Sequence, residues 1–236
     1  MSIYGPSASS SLVTPALAAL SQDSNRQVDS VALDYLLIEA VRTLRHSSKI
    51  ATARIRATEE EMIAEGLLPP PAPLSAVPLS IKADSVKDAV ASQREARIAE
   101  EEEEALRVRL EGMGAIVGSN LAERYSKDKP RFQDTLDTVK FICKDLWTAM
   151  WDKQVDNLRT NHRGVYVLQD NAFKPLLRMS SPEGSADALR RAKIYLAFPV
   201  GVIRGALSRF GLNAVVTAEA LTLPQCTFQV KLPKGQ

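Results

Sequence analysis

Apolar residues first recur at helical spacing at Leu33, Leu36, Leu37, Ala40, Val41 and Leu44, which are i, i+3, i+4, i+7, i+8 and i+11. This pattern predicts an amphipathic helix from about Val31 to His46. Asp29 or Ser30 can cap it by accepting from an orphan backbone N–H. Arg42, Arg45 and His46 fall in its last turns, where cations complement the dipole. Leu106, Leu110, Met113, Val117, Leu121 and Tyr125 predict a second helix, and Leu136, Val139, Cys143, Leu146, Trp147 and Met150 a third with the strongest stripe in the chain. The period then changes. Val155 to Thr160 and Val165 to Leu168 flank Asn161-His162-Arg163-Gly164, a turn sequence tolerant of positive φ, so they predict a hairpin. Ala192 to Phe210 reads as an apolar helix stopped at Gly211. Ala214 to Leu221 and Cys226 to Leu232 predict a second hairpin. The order is helix, helix, helix, hairpin, helix, hairpin. It predicts an α+β fold, a helical layer packed on a four-stranded antiparallel sheet made of two hairpins.

Between the first two helices the pattern lapses. Lys49 to Leu67 can extend as a polar helix but has little apolar stripe. Pro69, Pro70, Pro71, Pro73 and Pro78 then exclude a helix or central strand and predict an extended, polyproline-like linker. Val86 to Arg109 is rich in Ala, Glu and Arg, and its run Glu100 to Glu104 reads as a solvated face. Residues 49–93 are therefore expected to be a disordered Pro-rich and charged insertion. Residues 1–28, rich in Ser and Ala, read as a disordered tail, and 29–236 as a single domain around the insertion.

Composition narrows the class. The chain has 236 residues, 45% hydrophobic and 25% charged, as in ordinary globular proteins. Its longest uncharged apolar run, Ile194 to Ile203, is far short of the roughly 20 residues that span a bilayer. The first basic residue is Arg26, so no secretory signal is expected. Two cysteines, Cys143 and Cys226, make no disulfide framework, which points to the reducing cytosol or nucleus. Residues 1–115 carry a net charge of −5 and residues 116–236 one of +7. The basic half suits anionic lipid, an acidic protein surface or nucleic acid, and charge alone does not choose.

Catalytic chemistry is hard to find. Gly112-Met-Gly114-Ala-Ile-Val-Gly118 resembles a dinucleotide fingerprint only superficially, since the residues before it read as helix where a strand is required. Close helix packing is the simpler account of these glycines. His46 and His162 are the only histidines, and no ligand spacing for zinc joins them to the cysteines. There is no G-x-S-x-G elbow, no Walker A motif and no RNP sequence. Arg204, between Ile203 and Leu207, suits a structural ion pair or a partner contact. No catalytic, cofactor-binding or metal-binding residue is assigned, and the chain is read as a non-enzyme without cofactors.

Two segments carry a resemblance. Lys140-Phe-Ile-Cys-Lys-Asp-Leu-Trp147, and Asp156-Asn-Leu-Arg-Thr-Asn-His-Arg-Gly-Val-Tyr-Val-Leu-Gln-Asp-Asn171, strongly resemble the small α/β subunits of the TRAPP vesicle-tethering complex, of the Bet type and most like subunit 6. Leu110 to Gly114, Gly118 to Arg124, Arg131-Phe132, Tyr195 to Phe198, Ile203 to Gly205 and Val216 to Glu219 agree. The resemblance covers residues 104–236 well and the first helix weakly. It implies a twisted sheet under the helices and heterodimerisation with a sister small subunit. It also implies a multisubunit complex that activates Rab GTPases in endoplasmic reticulum-to-Golgi and Golgi traffic. In that family the sister subunit carries an acylated cysteine just before the third helix. Lys129 stands at the equivalent position here, so this chain is not expected to be acylated there.

The expected function is thus a non-catalytic scaffold subunit, cytoplasmic and peripherally associated with Golgi and endoplasmic reticulum membranes. Its expected partners are the sister small subunit, other TRAPP subunits, a Rab GTPase indirectly, and an anionic membrane surface through the complex. The alternatives are a direct contribution to Rab nucleotide exchange and, more weakly, a basic nucleic-acid-binding module, although nucleic acid is not an expected partner. The resemblance implies pairing through N-terminal helices. This makes part of the face of Leu33, Leu36, Leu37, Ala40, Val41 and Leu44 the candidate interface, with the remainder on the chain's own core and Gly114 and Gly118 allowing close approach.

Overall fold

The computed structural model describes Thr14 and residues 29–69, 83–161 and 164–233. The expected tail otherwise lies outside the described residues, as do most of the Pro-rich stretch and the turn residues His162 and Arg163. Two long helices open the fold, α1 (Ser30–Ala64) and α2 (Ala83–Ser126). The third helix is built of α3 (Thr135–Phe141), a π-helical turn (Ile142–Leu146) and α4 (Trp147–Trp151). The hairpin β1 (Asn157–Thr160) and β2 (Val165–Asp170) follows, then the short helices α5 (Lys174–Leu177) and α6 (Ser185–Ala192). A 3-10 turn (Lys193–Leu196) leads into α7 (Ala197–Arg209), and β3 (Val215–Glu219) and β4 (Cys226–Lys231) close the chain.

The sheet order is β1-β2-β4-β3, all antiparallel, so the two hairpins join through β2 and β4. Successive strand residues face opposite sides. Tyr166, Leu168 and Asp170 of β2 and Cys226, Phe228 and Val230 of β4 are buried, whereas Arg159, Thr217 and Lys231 are exposed. One face of the sheet therefore lies on the helices, as the α+β reading expects. Against it stand Trp147, Trp151 and Phe173, with Trp147 ring centroids 4.2 Å from Trp151 and 5.4 Å from Phe228. The Trp147 indole N–H donates to Asp170 Oδ2 at 2.9 Å, whereas the buried Trp151 indole N–H has no partner.

Four expectations about elements change. The first helix does not stop at His46 but continues to Ala64, and the second begins at Ala83. Both flanks of the expected disordered insertion are thus helical. From Ser47 to Ala64 no Gly or Pro interrupts α1. Polar bonds join the two helices antiparallel: Arg56 with Glu101 at 2.8 Å, Arg94 with Glu60 at 3.5 Å, and Arg109 Nη1 to Ser47 Oγ at 2.9 Å. A stripe search misses a helix held by polar neighbours.

The third helix carries the expected stripe through Trp147, but Met150 is only half-buried and Trp151 is buried instead. The π turn inserts a residue and rotates the following face. It also frees the Cys143 carbonyl, which accepts from Val155 N–H at 3.0 Å. Finally, α5 and α6 have four and eight residues, too short for the sequence to carry a periodic signal for them. The cap at Asp29 and the stop at Gly211 are as expected: Val31 N–H donates to Asp29 Oδ1 at 2.9 Å, and Gly211 has φ +78°.

Both cysteines are buried. Desolvation pushes the Cys143 thiol up to about 12, and burial, with Asp170 nearby, raises Cys226 as well. The thiolate is the reactive form, so neither should react with a thiol reagent in the folded chain at mildly alkaline pH. Titration should count no thiol before denaturation and both afterwards; rapid native labelling of either would contradict this burial.

Candidate functional site: a subunit-pairing surface

The geometry of α2 is set by glycines. A Cβ built on Gly114 would lie 2.1 Å from the Phe198 carbonyl oxygen, and one on Gly118 2.1 Å from that of Val202. In the other direction, a Cβ on Gly201 would lie 2.1 Å from the Glu111 carbonyl oxygen, and one on Gly205 2.0 Å from that of Ala115. Two glycines from each helix thus interleave, backbone against backbone. An ion pair ties the same seam: Glu111, 8% exposed, accepts from Arg107 at 2.6 Å and from Arg204 at 2.9 Å. Arg204 thus makes the expected ion pair, and its partly exposed side chain also lines a groove between α2 and the end of the sheet.

This seam shows what the close approach at Gly114 and Gly118 serves within the chain. The close approach that Gly114 and Gly118 permit is made to α7 of the same chain, so neither glycine is free to meet a partner. The α1 stripe is divided in the same way. Leu37 is 6% exposed and belongs to the main core, where Leu33 also packs. Val41 is buried in a second cluster with Leu106, Leu110, Ile194 and Ala197, and Leu44 packs on it. Ala40 is half-buried. Only Leu36 of the expected stripe faces outward, at 64% exposure, beside the exposed Tyr35. The stripe is real, but α2, α5 and the 3-10 turn already cover most of it.

A second outward apolar surface lies on α2 and the end of the sheet. A groove of about 890 Å³ runs between them, with Ala115, Ile116 and Ser119 on one wall, Leu212, Ala214 and Val215 on the other, and Leu232 and Pro233 at its end. Ile116 is 66% exposed and Val215 65%, both large apolar side chains turned outward at a concave apolar site. Met113, one turn before Ile116, is exposed as well. β3 is an edge strand, and among the described residues no backbone bond reaches it from its outer side. The sequence did hold a signal here. Met113 and Tyr125 belong to the predicted stripe of this helix but are exposed, and with Ile116 they give it more apolar surface than one packed face requires. Lys129 lies elsewhere, by the Phe132, Phe141 and Phe210 cluster; its Nζ pairs with Asp145 at 2.8 Å and sits 5.7 Å from the Phe141 ring centroid.

Among the described residues, no group of three or more His, Cys, Asp or Glu side chains converges as a metal site, and no helix is long and apolar enough to cross a membrane. Against known families, residues 33–233 match the model described as the transport protein particle (TRAPP) component. The chain belongs to the TRAPP family. It is 53% identical over 126 residues to human trafficking protein particle complex subunit 6B, covering 53% of this chain and 78% of that one. It is 52% identical over 126 residues to zebrafish subunit 6b, with the same coverage. Human subunit 6A is 51% identical over 126 residues, 53% of this chain and 77% of that one. The resemblance to the subunit-6 type thus stands. This TRAPP chain is longer than these relatives, since the matched stretch is a smaller share of it than of them.

Proposed function

We propose that this chain is a non-catalytic scaffold subunit of a TRAPP complex, and that it pairs with a sister small subunit through the α2 groove and the outward edge of α1. The observation that carries this reading is the exposure of Ile116 and Val215 at an apolar groove, in a chain whose relatives are named as subunits of a trafficking complex. Burying such side chains contributes about 1.5–3 kcal/mol each, enough for a few of them to anchor an interface. The assembled complex activates Rab GTPases in endoplasmic reticulum-to-Golgi and Golgi traffic, and this chain reaches those membranes as a peripheral member of it. The basic C-terminal half is a weak argument for nucleic acid, because several of its arginines are already engaged. Arg178 pairs with Asp34, Arg190 and Arg191 with Asp187, Arg204 with Glu111, and Arg209 with Glu123.

Reconstitution separates scaffold from catalyst. A complex assembled without this chain should lose its sister subunit or fall in assembly yield, while nucleotide exchange per assembled complex stays unchanged. Intact assembly with a large fall in exchange would instead favour a direct contribution to the exchange reaction.

A further inference from the structure

The loop before α6 reads Ser180-Ser181-Pro182-Glu183-Gly184 and takes no part in the groove. Ser180, Pro182, Glu183 and Gly184 are exposed, and Ser181 is half-buried. Its Oγ donates to Asp187 Oδ2 at 2.6 Å and accepts from Glu183 N–H at 3.2 Å. The same Asp187 carboxylate holds Arg190 and Arg191, each at 2.5 Å. Hydrogen bonds from Ser181 and then Arg190 hold that carboxyl down at about 2, so it stays ionised at neutral pH. A serine hydroxyl thus sits one carboxylate away from two guanidinium groups that are mostly exposed and reachable from solvent.

We propose that Ser181 is a phosphoacceptor, and that its phosphate takes Arg190 and Arg191 from Asp187. Proline biases the residue before it toward extended backbone, and it offers no N–H to a turn or ladder. Ser181 opens a turn closed by Gly184 N–H donating to its carbonyl at 3.2 Å, and exposed Ser180 and Pro182 flank it, within reach of a kinase that accepts proline after the acceptor serine. In the transfer, Ser181 Oγ attacks the γ-phosphorus of ATP. The Oγ–P bond forms, the bond from that phosphorus to the β-phosphate oxygen breaks, and ADP leaves with Mg²⁺. The hydroxyl proton passes to the kinase's base. The product carries about −1.5 to −2 charge at neutral pH and three acceptor oxygens. Arginine forks bind phosphate bidentately, so Arg190 and Arg191 have a stronger partner in it than in a carboxylate. Asp187 loses the Ser181 hydrogen bond and is repelled by the new charge. Glu183, which pairs with Arg191 at 3.4 Å, is the other acidic group at the loop.

The chain contains two Ser/Thr-Pro steps, Thr14-Pro15 and Ser181-Pro182, so Thr14→Ala isolates the second. The full-length T14A chain, with its fold checked by circular dichroism, is incubated with a proline-directed Ser/Thr kinase and Mg-ATP. Peptide mapping should place one phosphate on Ser181, absent when Ser181→Ala is added. A ³¹P titration should give a second phosphate pKa below the ordinary value of about 6, moving back up when Arg190→Gln and Arg191→Gln are introduced. Absence of phosphate at Ser181 on the folded chain would overturn the proposal. So would a Ser181 phosphate that titrates at the ordinary value.

Discussion

Trp147→Ala should destabilise the chain by about 3–5 kcal/mol, the usual loss for a large buried aromatic. Trp147 is 0% exposed and touches Trp151, Phe173 and Phe228, with ring centroids 4.2, 5.7 and 5.4 Å away. No single neighbour can close the space it would leave, because those rings are held by three separate elements. Trp147→Phe separates packing from hydrogen bonding. It keeps most of the contact area but removes the N–H that satisfies Asp170, a group with 0% exposure. Asp170 still accepts from Lys153 at 2.5 Å and from Ala172 N–H at 3.0 Å, so the loss should fall to about 1–3 kcal/mol. Denaturant unfolding of the three chains measures both values. An alanine variant as stable as the wild type would mean that this cluster is not the centre of the core.

Substituting the interleaved glycines should give the other large effect. In Gly205→Ala the new methyl carbon would start 2.0 Å from the Ala115 carbonyl oxygen. The obstacle is backbone, so α2 and α7 must move apart along their whole contact. Overpacking of this kind costs about 1–3 kcal/mol, sometimes more. Adding Gly118→Ala, whose methyl meets the Val202 carbonyl oxygen at 2.1 Å, should deepen the loss. Gly112 supplies the control from the same helix. Nothing lies within 4 Å of its Cβ position, and a helical Gly→Ala change there should stabilise by about 0.5–1 kcal/mol. Opposite signs at Gly112 and Gly205, read from thermal or denaturant unfolding, would establish the seam; equal small gains would refute it.

The parts of this fold legible in the sequence are those with a strong period. The third helix through Trp147, the two hairpins and the glycine stop at Gly211 follow from spacing and turn chemistry. Their assembly into one sheet through β2 and β4 was implied by the α+β order, although no local signal pairs Asp170 with Cys226. The rest was hidden for identifiable reasons. The second halves of α1 and the start of α2 have no apolar stripe, because Arg56, Glu101, Arg94 and Glu60 hold them together. The π turn moves burial from Met150 to Trp151, a shift that a fixed helical period does not anticipate. For the candidate site, the stripe from Leu33 to Leu44 was found correctly as apolar, but periodicity does not say what covers an apolar face. The fold covers Leu37 and Val41 itself and leaves Leu36 outside. Ile116 falls off the stripe of Leu110, Val117 and Leu121, so the helical period does not mark it, and its side chain stays outside the chain's own core.

That last point makes Ile116→Asp the most direct test of the account. The residue is 66% exposed, so an aspartate there should leave the fold and its circular dichroism unchanged. In a heterodimer the same charge would be buried without a partner, at a cost of several kcal/mol. The chain is coexpressed with a TRAPP sister small subunit and the product is resolved by size-exclusion chromatography. The account predicts that the wild type elutes as a pair, and that Ile116→Asp elutes as a folded chain separate from its sister. A folded Ile116→Asp chain that still pairs as the wild type does would contradict it.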